Sequence, residues 1–155
     1  MLSLSTQVTK DVTQIANFQG RITGSICYFQ CGSKFLMAKR TAYKASGANK
    51  WATPGGTREP GESARETLDR EIREELSVDL KGQDGVNELE HLFVRTEEGT
   101  DFDLYVFHMK VDGEFDVILD AEHSEYKWMT WNEIKQLTLM RRAVIEFIME
   151  KVLSL

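Results

Sequence analysis

The stretch WATPGGTREPGESARETLDREIREELSV, residues 51–78, decides how this chain folds and what chemistry it carries. Pro54-Gly55-Gly56 and Pro60-Gly61 are turn signals, and they stand directly before an apolar-periodic run. Ser63 followed by Glu66 fits a capping box, in which the hydroxyl and the carboxylate each satisfy one orphan N–H of a new helix. Ala64, Leu68, Ile72 and Leu76 then recur every fourth residue, so a helix from about Ser63 to Leu76 buries one stripe. On that helix Glu71, Glu74 and Glu75 share a face, because residues three and four apart are neighbours.

Like charges at those spacings repel by a few tenths of a kcal/mol per pair, about 0.2–0.5, so helix stability gives no reason to cluster them. A solvated charged face is the plain alternative, since Glu and Arg are good helix formers. A hard divalent cation supplies a stronger reason: Mg²⁺ or Mn²⁺ prefers carboxylate oxygens and is held by a few of them together with substrate phosphates and water. The glycine turn upstream and Glu62 at a fixed offset favour the cation.

Outward from this segment, strand and helix patterns alternate. Ser25–Gln30 and Phe35–Lys39 form a hairpin about Cys31-Gly32-Ser33, and Thr41–Asn49 is a loop of small residues. Val86–Thr96 and Phe102–Val111 are two further strands joined at Glu97-Glu98-Gly99-Thr100. A loop over Gly113–Asp120 leads to a short strand, Glu125–Met129, and Thr130 with Glu133 caps a short helix. Met140, Ala143, Val144, Phe147, Ile148 and Val152 make the C-terminal segment, residues 139–154, an amphipathic helix. Residues 1–20 are an arm or an edge strand. The whole predicts one α/β domain over residues 1–155, with a mixed sheet between helices.

The net charge is −6, yet residues 1–58 carry +7 and residues 59–155 carry −13. An acidic chain excludes bulk nucleic-acid binding as an expectation. The acid-free run from Lys34 to Lys50 is either solubilising surface or a counter-charge for polyphosphate. Cys27 and Cys31 lack a second pair or a nearby His, which predicts two reduced thiols. No apolar run approaches a membrane span and no export signal opens the chain, so a cytoplasmic, membrane-free protein is expected.

From Gly56 through Glu62 to Arg70-Glu71-Ile72-Arg73-Glu74-Glu75-Leu76-Ser77-Val78, the segment resembles the Nudix box of the Nudix hydrolases, which cleave diphosphates linked to another moiety. Ser77 is the one departure, standing where the family has a Gly suited to a left-handed helix end. A non-Gly residue in that conformation costs on the order of 1 kcal/mol, which predicts a slightly altered helix end without loss of catalysis. The resemblance implies an α/β/α sandwich. It implies metal binding by Glu71, Glu74, Glu75 and the Gly55 carbonyl, with Arg70 orienting a box glutamate and Glu62 tying the loop to that arginine. It also implies a further metal-binding or base glutamate at Glu122, with Asp120 and Glu125 as fallbacks, and a phosphate contact at Arg40 beside Lys39. The general base is Glu71 or Glu74, with Glu122 third.

Trp51-Ala52-Thr53-Pro54-Gly55-Gly56 and the Glu122/Trp128 spacing look most like the MutT-like branch that cleaves nucleoside triphosphates. Tyr28, Tyr43, Trp51 or Trp131 are candidates to stack on a base. The expected partner is a nucleotide or another nucleoside-diphosphate-linked molecule, and the protein is expected to be a monomer or homodimer. A hydrolase of nucleotide sugars, dinucleotides or capped RNA is the alternative, and a Nudix-fold binding module without activity is the non-enzyme alternative.

Overall fold

A computed structural model describes residues 5–44 and 46–155. The strands are β1 (Gln7–Thr9), β2 (Ile22–Cys31), β3 (Lys34–Arg40), β4 (Trp51–Ala52), β5 (Gly55–Thr57), β6 (Val86–Arg95), β7 (Asp101–Lys110) and β8 (His123–Thr130). The helices are α1 (Ala64–Leu76), α2 (Trp131–Ile134) and α3 (Arg142–Phe147). They form an α/β sandwich about one mixed sheet of order β1-β6-β7-β2-β3-β4, with β5 paired to β2 and β8 to β3.

The sheet is mixed because β2 and β7 run parallel, from Ile22 beside Phe102 to Gln30 beside Lys110, whereas the hairpins are antiparallel. Side chains of β2 alternate between two cores. Cys27 and Phe29 face α1 and pack with Leu68, Ile72 and Leu76. Tyr28 faces the other way, into a core built with Phe35, Val106, Ile134, Ile145 and Ile148. In the apolar stripe of α1, Leu68, Ile72 and Leu76 are wholly buried, each contributing about 1.5–3 kcal/mol, and Ala64 is partly buried. Both halves of the Ser63/Glu66 capping box are made, and so are both halves of the box at Thr130/Glu133.

Several boundaries differ from the sequence expectation. The arm contains an edge strand, β1, paired with β6. Residues 1–4 of the arm lie outside the described residues. The C-terminal helix starts at Arg142, since Arg141 takes a left-handed conformation (φ 53°, ψ 55°), and it widens to π geometry over Ile148–Val152. The last strand is longer than Glu125–Met129 because pairing with β3 extends it at both ends. β4 and β5 carry too few residues to show a period.

Ser77 does adopt the left-handed cap (φ 58°, ψ 35°), its N–H donating to the Arg73 carbonyl as a glycine's would. Its hydroxyl also donates to the Ile118 carbonyl at 3.2 Å, a bond no glycine could make. The helix end is therefore not altered. Cys27 and Cys31 are free, and burial pushes the Cys27 thiol far up, which leaves it inert. Among the described residues, no helix is long and apolar enough to cross a membrane.

Candidate active site

α1 is anchored to the sheet where the site lies. The Ser25 hydroxyl of β2 donates to the Ala64 carbonyl at 2.8 Å, and Leu68, Ile72 and Leu76 seat the helix over β2. The carboxylates of α1 therefore meet the glycine strand β5, which hydrogen-bonds to β2 through Gly24, Ser25 and Ile26. Gly56 is required for this contact: a Cβ there would stand 2.3 Å from Glu71 Cδ. Gly55 is required twice over, by its φ of 146° and because a Cβ would meet the Ser25 carbonyl at 2.1 Å.

The three box glutamates occupy different environments. The Glu74 side chain is 56% exposed, the Glu71 side chain 17% and the Glu75 side chain 8%. Arg70 organises the cluster. Its Nε donates to Glu62 at 2.7 Å and its Nη1 to Glu71 at 2.9 Å, while Nη2 donates to Glu62 at 3.0 Å and to the Thr57 carbonyl at 3.0 Å. A weaker contact at 3.4 Å reaches Glu74. The fork so ties the glycine loop to the helix.

The electrostatics follow from these contacts. The Arg70 hydrogen bonds, chiefly, hold the Glu62 carboxyl down to about 2, and the same bonds raise the Arg70 guanidinium. Burial pushes Glu71 up despite Arg70 beside it. Burial, then the charge of Glu71, pushes Glu75 well above the carboxylate range. Glu71 and Glu75 lie within hydrogen-bonding reach of one another, and Glu75 also accepts the Gly55 N–H at 3.4 Å. Ionising both of these neighbouring carboxylates, one half-buried and one buried, is unfavourable unless a cation offsets their charge, and their oxygens are the donors Mg²⁺ or Mn²⁺ prefers. Among the described residues no three acidic, His or Cys side chains already form a closed cation cage.

The expected auxiliary glutamate lies elsewhere in its contacts. Glu122 pairs with Lys44 at 2.9 Å, and that bond lowers its pKa. The side chains facing Glu75 from this loop are instead His123, with Nε2 3.9 Å from Glu75 Oε2, and Asp120, whose Oδ1 is 2.7 Å from His123 Nδ1. The Asp120 N–H donates to the Glu75 carbonyl, which straps the loop onto the end of α1. Glu125 projects from β8 opposite Lys39 of β3.

On the other side of β5 a cleft of about 310 Å³ runs from Gly55, Gly56 and Thr57 across Ile26 and Leu104 to Phe102, Arg141 and Val144. Arg40 lines it, with Nε held by the Ser46 carbonyl at 2.9 Å, whereas Lys39 does not. Alternation along β3 turns the two side chains to opposite faces. None of the four aromatic residues expected to stack lines this cleft. Tyr28 and Trp51 are core, Trp131 packs against it, and Tyr43 is 96% exposed. The aromatic at the cleft is Phe102, and the Arg141 guanidinium lies 4.7 Å above its ring. Both residues had no local motif to mark them.

An acidic, arginine-braced loop-helix set against a glycine strand and an open cleft defines a hydrolase of phosphate anhydrides built on an α/β sandwich. The NUDIX domain family matches residues 21–150, and the chain belongs to that family as a MutT-like Nudix hydrolase. Among its relatives, the nucleoside triphosphatase NudI of Enterobacter sp. (strain 638) is 27% identical over 124 residues, 76% of this chain and 88% of the relative. NudI of Salmonella newport is 29% identical over 106 residues, 64% of this chain and 75% of the relative. Among solved structures, the MutT protein of Methanosarcina mazei Go1 superposes with a TM-score of 0.65 at 27% identity, covering 84% of this chain and 91% of the other.

Proposed function

We propose that this chain is a divalent-metal-dependent pyrophosphohydrolase that cleaves the diphosphate linkage of a nucleoside triphosphate or a related nucleoside diphosphate derivative. The observation that carries it is the Glu71/Glu75 pair, desolvated, mutually repelling and braced by Arg70 against a strand of glycines. The nucleoside triphosphatase activity named for the NudI relatives supports the substrate class.

Glu71, Glu74, Glu75 and the Gly55 carbonyl would hold Mg²⁺ or Mn²⁺. When bound, the ion supplies charge neutralisation to the diphosphate and acidity to a water. Arg70 and Glu62 fix the loop and helix so that the Glu71 carboxylate does not wander. Glu71 or Glu74 accepts the proton of the attacking water; Glu74, more open to solvent, can pass it on without further movement. Arg40, its fork pinned by Ser46 at the rim of the cleft, neutralises charge on the leaving phosphate. Glu122 serves as a further ligand only after Lys44 releases it.

Phosphate and pyrophosphate release across a nucleotide panel tests this. Turnover stops with EDTA and returns with Mg²⁺ or Mn²⁺. Full turnover in metal-free buffer refutes the metal mechanism, and a panel that yields no turnover with metal refutes the activity.

A further inference from the structure

The cleft beyond the glycine strand has a one-sided chemistry. Among the described residues no Asp, Glu, Asn, Gln or His side chain lines it, and its polar groups are Arg40, Arg141 and the hydroxyls of Ser46, Thr53, Thr57 and Thr100. Its charged side chains are donors only, and its side-chain acceptors are hydroxyls alone. Of the two arginines, Arg40 lies beside Gly47 and Met140. Arg141 lies over Phe102.

The sheet register sets the span of the floor between Gly56 and Phe102. Gly56 pairs with Ser25, which pairs with Tyr105, while Phe102 pairs with Ile22. Two strand spacings and three residues separate Gly56 from Phe102, about 14 Å. That is comparable with the reach of an extended nucleoside diphosphate, from its terminal phosphate to the far edge of its base. The floor between is apolar, with Ile26 and Leu104 from the sheet and Val144 from α3.

The left-handed backbone of Arg141 turns the chain out of the segment beside Trp51 and into α3, and from there the side chain crosses to Phe102. Among the described residues the guanidinium makes no side-chain hydrogen bond, and desolvation with Arg40 nearby lowers its pKa, while Glu98 raises it. A planar fork with five donors and no acceptor, over the Phe102 ring and still open to solvent, is left at the cleft.

We propose that Arg141 is a specificity-determining residue that reads the carbonyl edge of a nucleobase lying on this floor. The site therefore takes uracil, thymine or guanine nucleotides in preference to adenine. This rests on the nucleotide hydrolysis proposed above. Guanine offers O6 and N7 to the fork, and uracil and thymine offer O4. Adenine presents its N6 amino group to another donor, and no acidic or amide side chain of the cleft is there to accept it.

Binding of UMP, GMP, AMP and inorganic tripolyphosphate to the whole protein, measured calorimetrically without metal, tests the assignment independently of turnover. The wild type binds UMP and GMP about tenfold or more tighter than AMP. Arg141→Lys keeps the charge but not the fork, and reduces that preference to about threefold or less while tripolyphosphate affinity stays within about twofold. Arg141→Gln moves the preference toward AMP, since an amide can pair with N6 and N7 of adenine. A wild type that does not discriminate, including one that binds none of the monophosphates, overturns the proposal. So does an equal loss for all nucleotides and tripolyphosphate in Arg141→Gln that Arg141→Lys restores, which would make Arg141 a phosphate clamp. Base discrimination in a protein that hydrolyses nothing would instead count against the activity and leave the role of Arg141 standing.

Discussion

Gly56→Ala adds one methyl group at the place where strand β5 meets the box helix. Gly56 is absent from the glycines with positive φ, so its backbone accepts alanine without conformational strain. The obstruction is side-chain contact alone: the new Cβ would stand 2.3 Å from Glu71 Cδ and 2.5 and 2.6 Å from its two oxygens. Carbon atoms in contact sit about 3.5–4.0 Å apart, so the carboxylate must retreat by more than 1 Å, roughly 1.2 Å. It is held at 2.9 Å by Arg70 and abuts Glu75, so the retreat disrupts one of those contacts. Misplacing a reacting group by about 1 Å costs on the order of 10²-fold in rate. Local overpacking at the end of a side chain costs about 1 kcal/mol, which lowers Tm by about 2–4 °C in a domain of this size. Steady-state kinetics across a Mg²⁺ titration, with a thermal melt on the same samples, gives both numbers. Gly61→Ala is the control: Gly61 has φ 85° and nothing within 4 Å, so it should lower Tm slightly and leave kcat alone. A Gly56→Ala protein with wild-type kcat and metal dependence would refute the placement of Glu71 against the glycine strand.

The other perturbations act on the same cluster. Glu74→Gln removes a ligand charge from the exposed member, so kcat falls by orders of magnitude while the melting temperature holds or rises slightly; near-normal kcat would make the helix only a charged face. The folded-state pKa of Glu75 lies well above its ordinary 4.5, so without metal the folded protein keeps a proton that the unfolded chain releases. Stability then falls as pH rises from about 4.5 through the folded pKa and levels above it. Glu75→Gln flattens that slope and raises the urea midpoint at pH 8, and an unchanged pH profile would contradict the burial of its charge. Arg70→Lys keeps the charge but cannot fork between Glu62, Glu71 and the Thr57 carbonyl, so kcat falls and the melt moves down, with recovery by added metal only partial. Full activity in that variant would show that the brace is dispensable.

Most of the box was legible in the residues because its signals are local. Ser63 and Glu66 lie three residues apart and satisfy each other's backbone groups whatever the rest of the chain does. The apolar stripe over Leu68, Ile72 and Leu76 needs only helical geometry to form, and a solvent-averse face then commits α1 to a sheet. The short strands β4 and β5 were not legible, since three residues or fewer carry no period and Gly55 pairs only because β2 is there to receive it.

The sequence by itself determined that Glu71, Glu74 and Glu75 would share one helix face, because residues three and four apart on a helix are neighbours, while their meeting with a glycine turn was implied by the resemblance to the Nudix box. Only the tertiary structure decided which glutamate would be desolvated. Glu74 and Glu75 are chain neighbours of one residue type, yet one faces water and the other is closed in by β5, Asp120 and His123. It also decided that Glu122 would sit on Lys44 and that Arg141 would come to rest on Phe102, 39 positions earlier in the chain. The reason is physical: helix capping and amphipathic periodicity depend on bonds a few residues long. The charge state of a carboxylate and the partner of a guanidinium depend on which distant surfaces exclude water around them.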